Sequence, residues 1–232
     1  MHAPISVVIP TLNAEDVLPN LLSSLYEGVA AGLICEVIVS DGGSLDATCT
    51  IADEAGARLA RGPASRGGQI ARACLKARGD WLLILHADCI LPQGWSNILR
   101  VRLGRRQTAY FFKLGFRSRH FMARVTASWA NFRSSVFKLP YGDQGLFISR
   151  SHLMGVGGYP EQPIMEDVAV SFALKRQKQM LPITILTSAD AYEKTGWLLR
   201  GAGNLRLLLR YLLGAAPEDL EKSYYKKKMK YR

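Results

Sequence analysis

The sequence predicts an α/β domain with a mainly parallel, mixed central sheet flanked by helices. Short β-branched runs alternate with segments whose apolar residues recur at helical spacing, the pattern of a sheet covered on both faces. The same runs end in polar, turn-forming residues, as parallel strands do where their carboxyl ends gather at one rim. The 232 residues, 48% hydrophobic and 21% charged, suffice for one large core and require no second.

In chain order, residues 5–9 and 36–40 read as strands and residues 15–29 between them as a helix, a βαβ unit. A helix at 44–55, a strand near Arg58, a helix at 67–77 and a strong strand at 81–86 continue the alternation. After Pro92 the pattern predicts a basic helix at 95–103, a strand at 109–116, a helix at 119–137 and a strand at 146–149. A helix following Glu166, a strand at 183–187 and a helix at 203–213 complete it. In the 119–137 helix Phe121, Met122, Val125, Trp129, Phe132 and Val136 share one face, with Arg124 and Arg133 away from it. That face reads as core, with a binding-site wall or a membrane contact as the alternatives.

Lys and Arg number 30 against 19 Asp and Glu, a net charge of +11. The excess is uneven, because no acidic residue lies between Asp88 and Asp143. That stretch holds Arg100, Arg102, Arg105, Arg106, Lys113, Arg117, Arg119, Arg124, Arg133 and Lys138, and residues 222–232 are also acid-free. Such surfaces attract phosphates or an anionic membrane, or serve only as solvated basic faces. Cys35, Cys49, Cys74 and Cys89 show no CxxC spacing and read as reduced thiols in apolar surroundings. The first residues lack a basic leader followed by a long apolar stretch, and no apolar run approaches the roughly 20 residues a bilayer requires. A cytoplasmic chain is the expectation, with peripheral contact between its basic C-terminal tail and an anionic membrane left open.

Three polar clusters follow strands: Pro10-Thr11-Leu12-Asn13-Ala14-Glu15, Asp41-Gly42-Gly43-Ser44 and His86-Ala87-Asp88. Asp41 before two glycines suits a carboxylate that accepts bonds from a base or ribose while the backbone approaches closely. It equally suits a common turn, with Ser44 or Asp46 capping the next helix. Asp88 ends an apolar strand, where an unpaired carboxylate is costly, so a divalent cation or a nearby Arg is expected beside it. Glu166-Asp167 opens a helix, where either carboxylate can meet the dipole as a cap or act as a base on a hydroxyl.

Val7-Val8-Ile9-Pro10-Thr11-Leu12-Asn13, Val39-Ser40-Asp41-Gly42-Gly43-Ser44-Leu45-Asp46-Ala47-Thr48, Leu85-His86-Ala87-Asp88 and Met165-Glu166-Asp167 together resemble the family-2 glycosyltransferases of GT-A fold. Order and spacing match over roughly residues 4–190. The His-Ala-Asp variant, with Arg66-Gly67-Gly68-Gln69 before it and Pro140-Tyr141-Gly142-Asp143-Gln144-Gly145 after it, is similar to a subgroup that includes transferases of arsenosugar biosynthesis. The resemblance implies a Rossmann-like fold with a nucleotide-binding half at 1–92 and an acceptor and catalytic half at 93–195; by length the chain reads as a single domain over 1–232, and by composition it ends in a basic helical tail at 196–232.

It further implies a nucleotide-sugar donor, UDP being the first choice, a Mg²⁺ or Mn²⁺ ion, inversion at the anomeric carbon and a hydroxyl acceptor. A membrane-bound tail would fit a lipid-linked acceptor. By the resemblance Pro10, Thr11, Asn13, Glu15, Asp41 and Gly43 hold the nucleoside, with Arg66 and Gln69 near it. His86 and Ala87 lead into Asp88, which binds the metal; Asp167 is the general base and Glu166 supports it. Tyr141, Gly142, Asp143 and Gln144 stand near the sugar or acceptor. One departure is that His86 replaces the first carboxylate of the family's usual Asp-x-Asp. Histidine there can ligate a metal, bond a ribose or phosphate, or be a satisfied structural residue. No histidine follows His152, so the late histidine ligand of some related enzymes is absent.

Rival classes fit less well. Nucleotidyltransferases resemble one another in a Gly-rich loop after the first strand, and residues 11–15 contain no glycine. A dinucleotide-dependent oxidoreductase would show Gly-x-Gly-x-x-Gly at that place. A nucleic-acid-binding protein would explain the charge of +11 but not Asp41, Asp88, Asp143 and Glu166-Asp167 at loop positions, so no specific nucleic acid is expected as a partner.

Overall fold

The computed structural model describes residues 3–229, with side chains through Tyr224. At its centre are seven strands: β1 Ile5–Thr11, β2 Ile34–Asp41, β3 Arg58–Leu59, β4 Trp81–Ile84, β5 Ala109–Phe116, β6 Leu146–Ser149 and β7 Lys178–Thr187. They form one sheet in the order β3-β2-β1-β4-β6-β5-β7. β6 runs antiparallel to β4 and β5, and the other paired strands are parallel. The helices are α1 Leu18–Ala30, α2 Thr48–Glu54, α3 Arg66–Lys76, α4 Trp95–Arg100, α5 Phe121–Val136, α6 Arg150–Gly155, α7 Glu166–Ala173, α8 Asp190–Thr195, α9 Trp197–Leu212 and α10 Pro217–Met229. The α/β architecture read from the sequence is the one observed.

Alternation along β1 explains both layers. Ile5, Val7 and Ile9 join a core with Leu18, Leu21 and Leu25 of α1 and Trp95 of α4. Val8 joins a second core with Ile38 of β2 and Ile70, Ala73 and Cys74 of α3. A strand buried on both sides must be apolar nearly throughout, which is why β1 and β4 stand out in the sequence. At the amino-terminal end of the sheet a buried carboxylate, Glu36 of β2, accepts from Ser6 Oγ at 2.7 Å and pairs with Arg58 and Arg78. β7 begins five residues earlier than the apolar pattern suggested. Its first residue, Lys178, is buried with its ammonium donating to the carbonyls of Ser171 and Lys175, so a charged side chain can open a covered strand.

One expectation is overturned. Five of the six large apolar residues of that face do not meet the core: Phe121, Val125, Trp129, Phe132 and Val136 are 53–68% exposed, Met122 packs partly inward, and Ala123, Ala127, Ala130 and Ser134 face inward. The cause lies in the sheet. β6 pairs with β5 only at Tyr110↔Phe147, so the rest of that edge of β5 needs other partners. Asn131 of α5 accepts from Leu114 N at 2.7 Å and donates to Leu114 O at 3.0 Å, and Gln144 donates to Phe112 O at 3.1 Å. A helix held this close to a strand can present only small residues to it.

The helix expected from residue 44 starts at Thr48, because Ser44 and Asp46 are engaged in the preceding loop. The helix expected at 203–213 starts at Trp197, and α6 and α8 were not anticipated. All four cysteines are free, and no helix among the described residues is long and apolar enough to cross a membrane. Of the basic tail, residues 225–232 lie outside the described side chains.

Candidate active site

The sheet order puts the carboxyl ends of β2, β1 and β4 side by side, so the three polar clusters converge on one rim as expected. They form two constellations of opposite character.

The first is a knot of two loops. Asp41 accepts from Gly43 N and Ser44 N at 2.8 Å each, from Ser44 Oγ at 2.5 Å and from Thr11 Oγ1 at 3.0 Å. Burial raises its pKa, and these bonds more than offset that, holding the carboxyl below its ordinary value. Gly43 takes φ +94°, a conformation that lets two successive N–H groups converge on one carboxylate oxygen. Asn13 accepts from Leu45 N at 2.9 Å, and Glu15 accepts from Ala47 N at 2.9 Å. From α3, the buried Gln69 donates to Thr11 O at 2.7 Å and Ser40 O at 2.8 Å, tying the ends of β1 and β2 together. Pro10 lies in the same parallel ladder, opposite Ser40. Asp46, not Ser44, serves the start of α2, accepting from Thr48 N at 3.0 Å.

The second constellation lines a cleft, to which Arg66, His86, Asp88, Tyr141, Gly142, Asp143 and Asp167 all contribute. Asp88 accepts from Thr187 Oγ1 at 3.0 Å, and Arg117 reaches its backbone carbonyl at 3.4 Å, so the expected arginine is not the carboxylate's partner. Asp167 stands at the start of α7 and accepts from Gly142 N at 2.8 Å and from Val168 N at 2.8 Å. A Cβ on Gly142 would fall 2.4 Å from His86 Nε2; glycine lets the 141–145 loop lie against the histidine. Burial and the charge of Arg66 push the His86 pKa down to about 4, against the pull of Asp88 and Asp167, so the ring is neutral at physiological pH.

Two further carboxylates here are poorly satisfied. Glu166 is 1% exposed, and neither of its oxygens has a hydrogen-bond partner. Arg66 Nη1 lies 3.7 Å from it. Burial and then the neighbouring Asp167 raise its pKa to about 7, with Arg66 opposing. It does not cap α7. Asp143 also keeps a buried, unpartnered oxygen, Oδ1. Burial pushes it up to about 6, with Arg133 opposing and the charges of Asp167 and Asp88 adding to the rise.

Gln144, expected near the sugar or acceptor, is fully buried and spent on Phe112 O, Ser134 Oγ and Tyr141 N. It closes the edge of β5 instead of facing the cleft. Ala87 connects His86 to Asp88 and packs against the main core.

The outer wall comes from residues the sequence did not single out. Thr187 ends β7 and Ser188 follows it, and Tyr192, Arg200, Asn204 and Tyr224 come from α8, α9 and α10. Arg200 donates to Tyr224 Oη at 2.6 Å, and Phe116 packs edge-on against Tyr192 and Trp197. Thr187 and Ser188 obey the same strand-end rule that found Asp88. Nothing in the spacing distinguishes Arg200 from the other arginines of its helix.

Among the described residues no group of three or more His, Cys, Asp or Glu side chains could enclose a metal. The cleft nevertheless offers hard carboxylate oxygens at Asp88 and an unpartnered Asp143 Oδ1, the donor type that suits Mg²⁺ or Mn²⁺. Such an ion would take its remaining ligands from a bound phosphate or water.

A family model described as glycosyl transferase family 2 matches residues 6–144. A TPR repeat-containing protein of Synechococcus elongatus is 34% identical over 112 residues, 47% of this chain and 26% of that protein. The structure of S. aureus TarS 1–349 in complex with UDP superimposes with a TM-score of 0.63 at 16% identity, covering 82% of this chain and 62% of that one. Glucosyl-3-phosphoglycerate synthase from Mycobacterium tuberculosis, in complex with Mn²⁺, UDP and phosphoglyceric acid, gives a TM-score of 0.51 at 24% identity over 76% of this chain and 68% of that one. At these identities the structural likeness shows the fold. The chain spans about a quarter of the curated relative and less than two thirds of the TarS fragment.

Proposed function

Because the chain belongs to glycosyl transferase family 2, we propose that it moves a sugar from a UDP-sugar to a hydroxyl acceptor with inversion at the anomeric carbon. The observation that carries this reading is the convergence of Asp88, Asp143, Asp167 and His86 on one cleft, beside the loop knot at the ends of β1 and β2. TarS has been crystallised with UDP and with UDP-GlcNAc, which favours uridine in the donor.

Each group then has a task. Asp167, kept oriented by Gly142 N, takes the proton of the attacking hydroxyl, a role worth about 10²- to 10⁴-fold in rate. Glu166 sits behind it with Arg66, and the guanidinium also faces the cleft where the donor diphosphate would lie. Asp88, with His86 beside it, would hold a Mg²⁺ or Mn²⁺ ion, which when bound neutralises the leaving diphosphate. The knot formed by Thr11, Asn13, Glu15 and Asp41 acts as a preformed nucleoside platform. Asp41 reaches a base or ribose only by giving up part of its bonding to Ser44. Asp143, Tyr141 and the aromatic wall of Phe116 and Tyr192 face the sugar and acceptor. The His-Ala-Asp signature with Arg66 and Gln69 supports the arsenosugar-type subgroup.

Calorimetric titration of UDP and GDP, with and without Mn²⁺, into the wild type and Asp88→Ala tests the donor site. UDP should bind with Mn²⁺, and Asp88→Ala should abolish the metal dependence. Failure of both nucleotides to bind under every condition overturns the reading.

A further inference from the structure

α5 and α9 leave unusually apolar outer faces. On α5, Phe121, Val125, Trp129, Phe132 and Val136 recur at intervals of three and four and are each more than half exposed, with Phe137 continuing the stripe. Trp129 stacks on Phe132 with ring centroids 6.0 Å apart, and Phe137 meets Phe132 edge-on at 6.4 Å. On α9, Leu198, Leu205, Leu209 and Leu212 form a second exposed row while Trp197 and Leu208 face inward. The two helices pack against each other. Single exposed apolar residues need no explanation, but two adjacent helical stripes do.

The charge around these stripes selects the occupant. α5 and α9 contain no acidic residue; the exposed Arg124 and Arg206 lie on the flanks of their apolar rows, while Arg210 donates to Ser223 of α10. The acids nearby belong to other elements: Asp190 and Glu193 of α8, and Glu218, Asp219 and Glu221 of α10. A second copy of the chain on this face would set arginine against arginine. Anionic headgroups over an acyl layer complement both the arginines and the aromatic and leucine side chains. We propose that the outward faces of α5 and α9 dock the protein peripherally on an anionic lipid bilayer.

The same helices build the cleft. Arg133 of α5 lies 3.4 Å over the Tyr141 ring, and Arg200 and Asn204 of α9 line the outer wall. Resting on the transfer reading, this brings the acceptor side to the membrane and favours an amphiphilic acceptor. The docking itself is independent of that reading, since vesicle binding needs neither donor nor acceptor.

Flotation of the intact chain with phosphatidylglycerol–phosphatidylcholine vesicles and with pure phosphatidylcholine vesicles tests it. Two double variants, Trp129→Ser/Phe132→Ser and Leu205→Ser/Leu209→Ser, remove exposed side chains, so the fold should survive; circular dichroism checks this. A third protein lacks residues 225–232. Binding to the anionic vesicles is expected, weakened about tenfold or more in each double variant and retained without the tail. Trp81, Trp95 and Trp197 are buried, so a blue shift of emission on binding reports Trp129. The proposal is overturned if the wild type does not float, floats equally on neutral vesicles, or floats undiminished in both double variants. A soluble dimer that the double variants dissociate also overturns it, in favour of a second copy as the occupant.

Discussion

The two halves of the rim hold buried carboxylates in opposite ways. Asp41 receives four hydrogen bonds from its own chain, whereas Glu166 receives none and Asp143 keeps one oxygen unpartnered. A satisfied carboxylate strengthens the fold, while an unsatisfied one costs stability and persists where a ligand or a reaction uses it. The loops after β1 and β2 therefore hold their carboxylate within a closed set of bonds, and under the proposed function the end of β4 and the start of α7 are where the chemistry would take place.

The largest effect that would break this contrast is on the reaction. Asp167→Asn should lower sugar transfer about 10²- to 10⁴-fold with nucleotide affinity nearly unchanged, read from turnover beside UDP titration. Equal losses of both would make Asp167 a binding residue.

Next comes the platform. Asp41→Ala leaves Thr11, Gly43 and Ser44 without their acceptor and should lower stability by about 2–3 kcal/mol at neutral pH in urea unfolding. Its folded pKa is depressed, so the carboxylate's contribution is present above the ordinary value of 3.8 and is lost as pH falls through the lower folded value. The gap between wild type and variant should narrow there.

Glu166 should behave with the opposite sign. Its pKa rises from 4.5 to about 7 on folding, so the native state binds more protons across that window and its stability falls as pH rises through it. Glu166→Gln should match the wild type near pH 4 and exceed it by about 1–3 kcal/mol above pH 7. A difference that stays constant between pH 4 and 8 would show that the carboxyl is not held protonated. The smallest effect belongs to Glu15→Gln, which keeps an acceptor for Ala47 N on an exposed loop and should change stability by less than about 0.5 kcal/mol.

The strand ends were legible because the rule behind them is local: an apolar run, then a polar residue, places that residue on the rim. It located Thr11, Asp41, His86 and Asp88. Gln144 came from the family resemblance and not from that rule; it turns inward because its partner, Phe112 O, lies on a distant strand with an unfilled edge. The periodicity of α5 was equally plain and its direction misleading. Which stripe turns inward depends on how near the sheet the helix must lie, and Asn131 sets that distance by bonding Leu114.

By itself the sequence determined most of the strands, their mainly parallel arrangement and the carboxylates at their ends, because alternation and turn chemistry act over a few residues. Only the tertiary structure decided which carboxylates are satisfied, which wall α9 adds and which face of α5 meets solvent. Those outcomes depend on hydrogen-bond partners and packing distances between residues tens of positions apart.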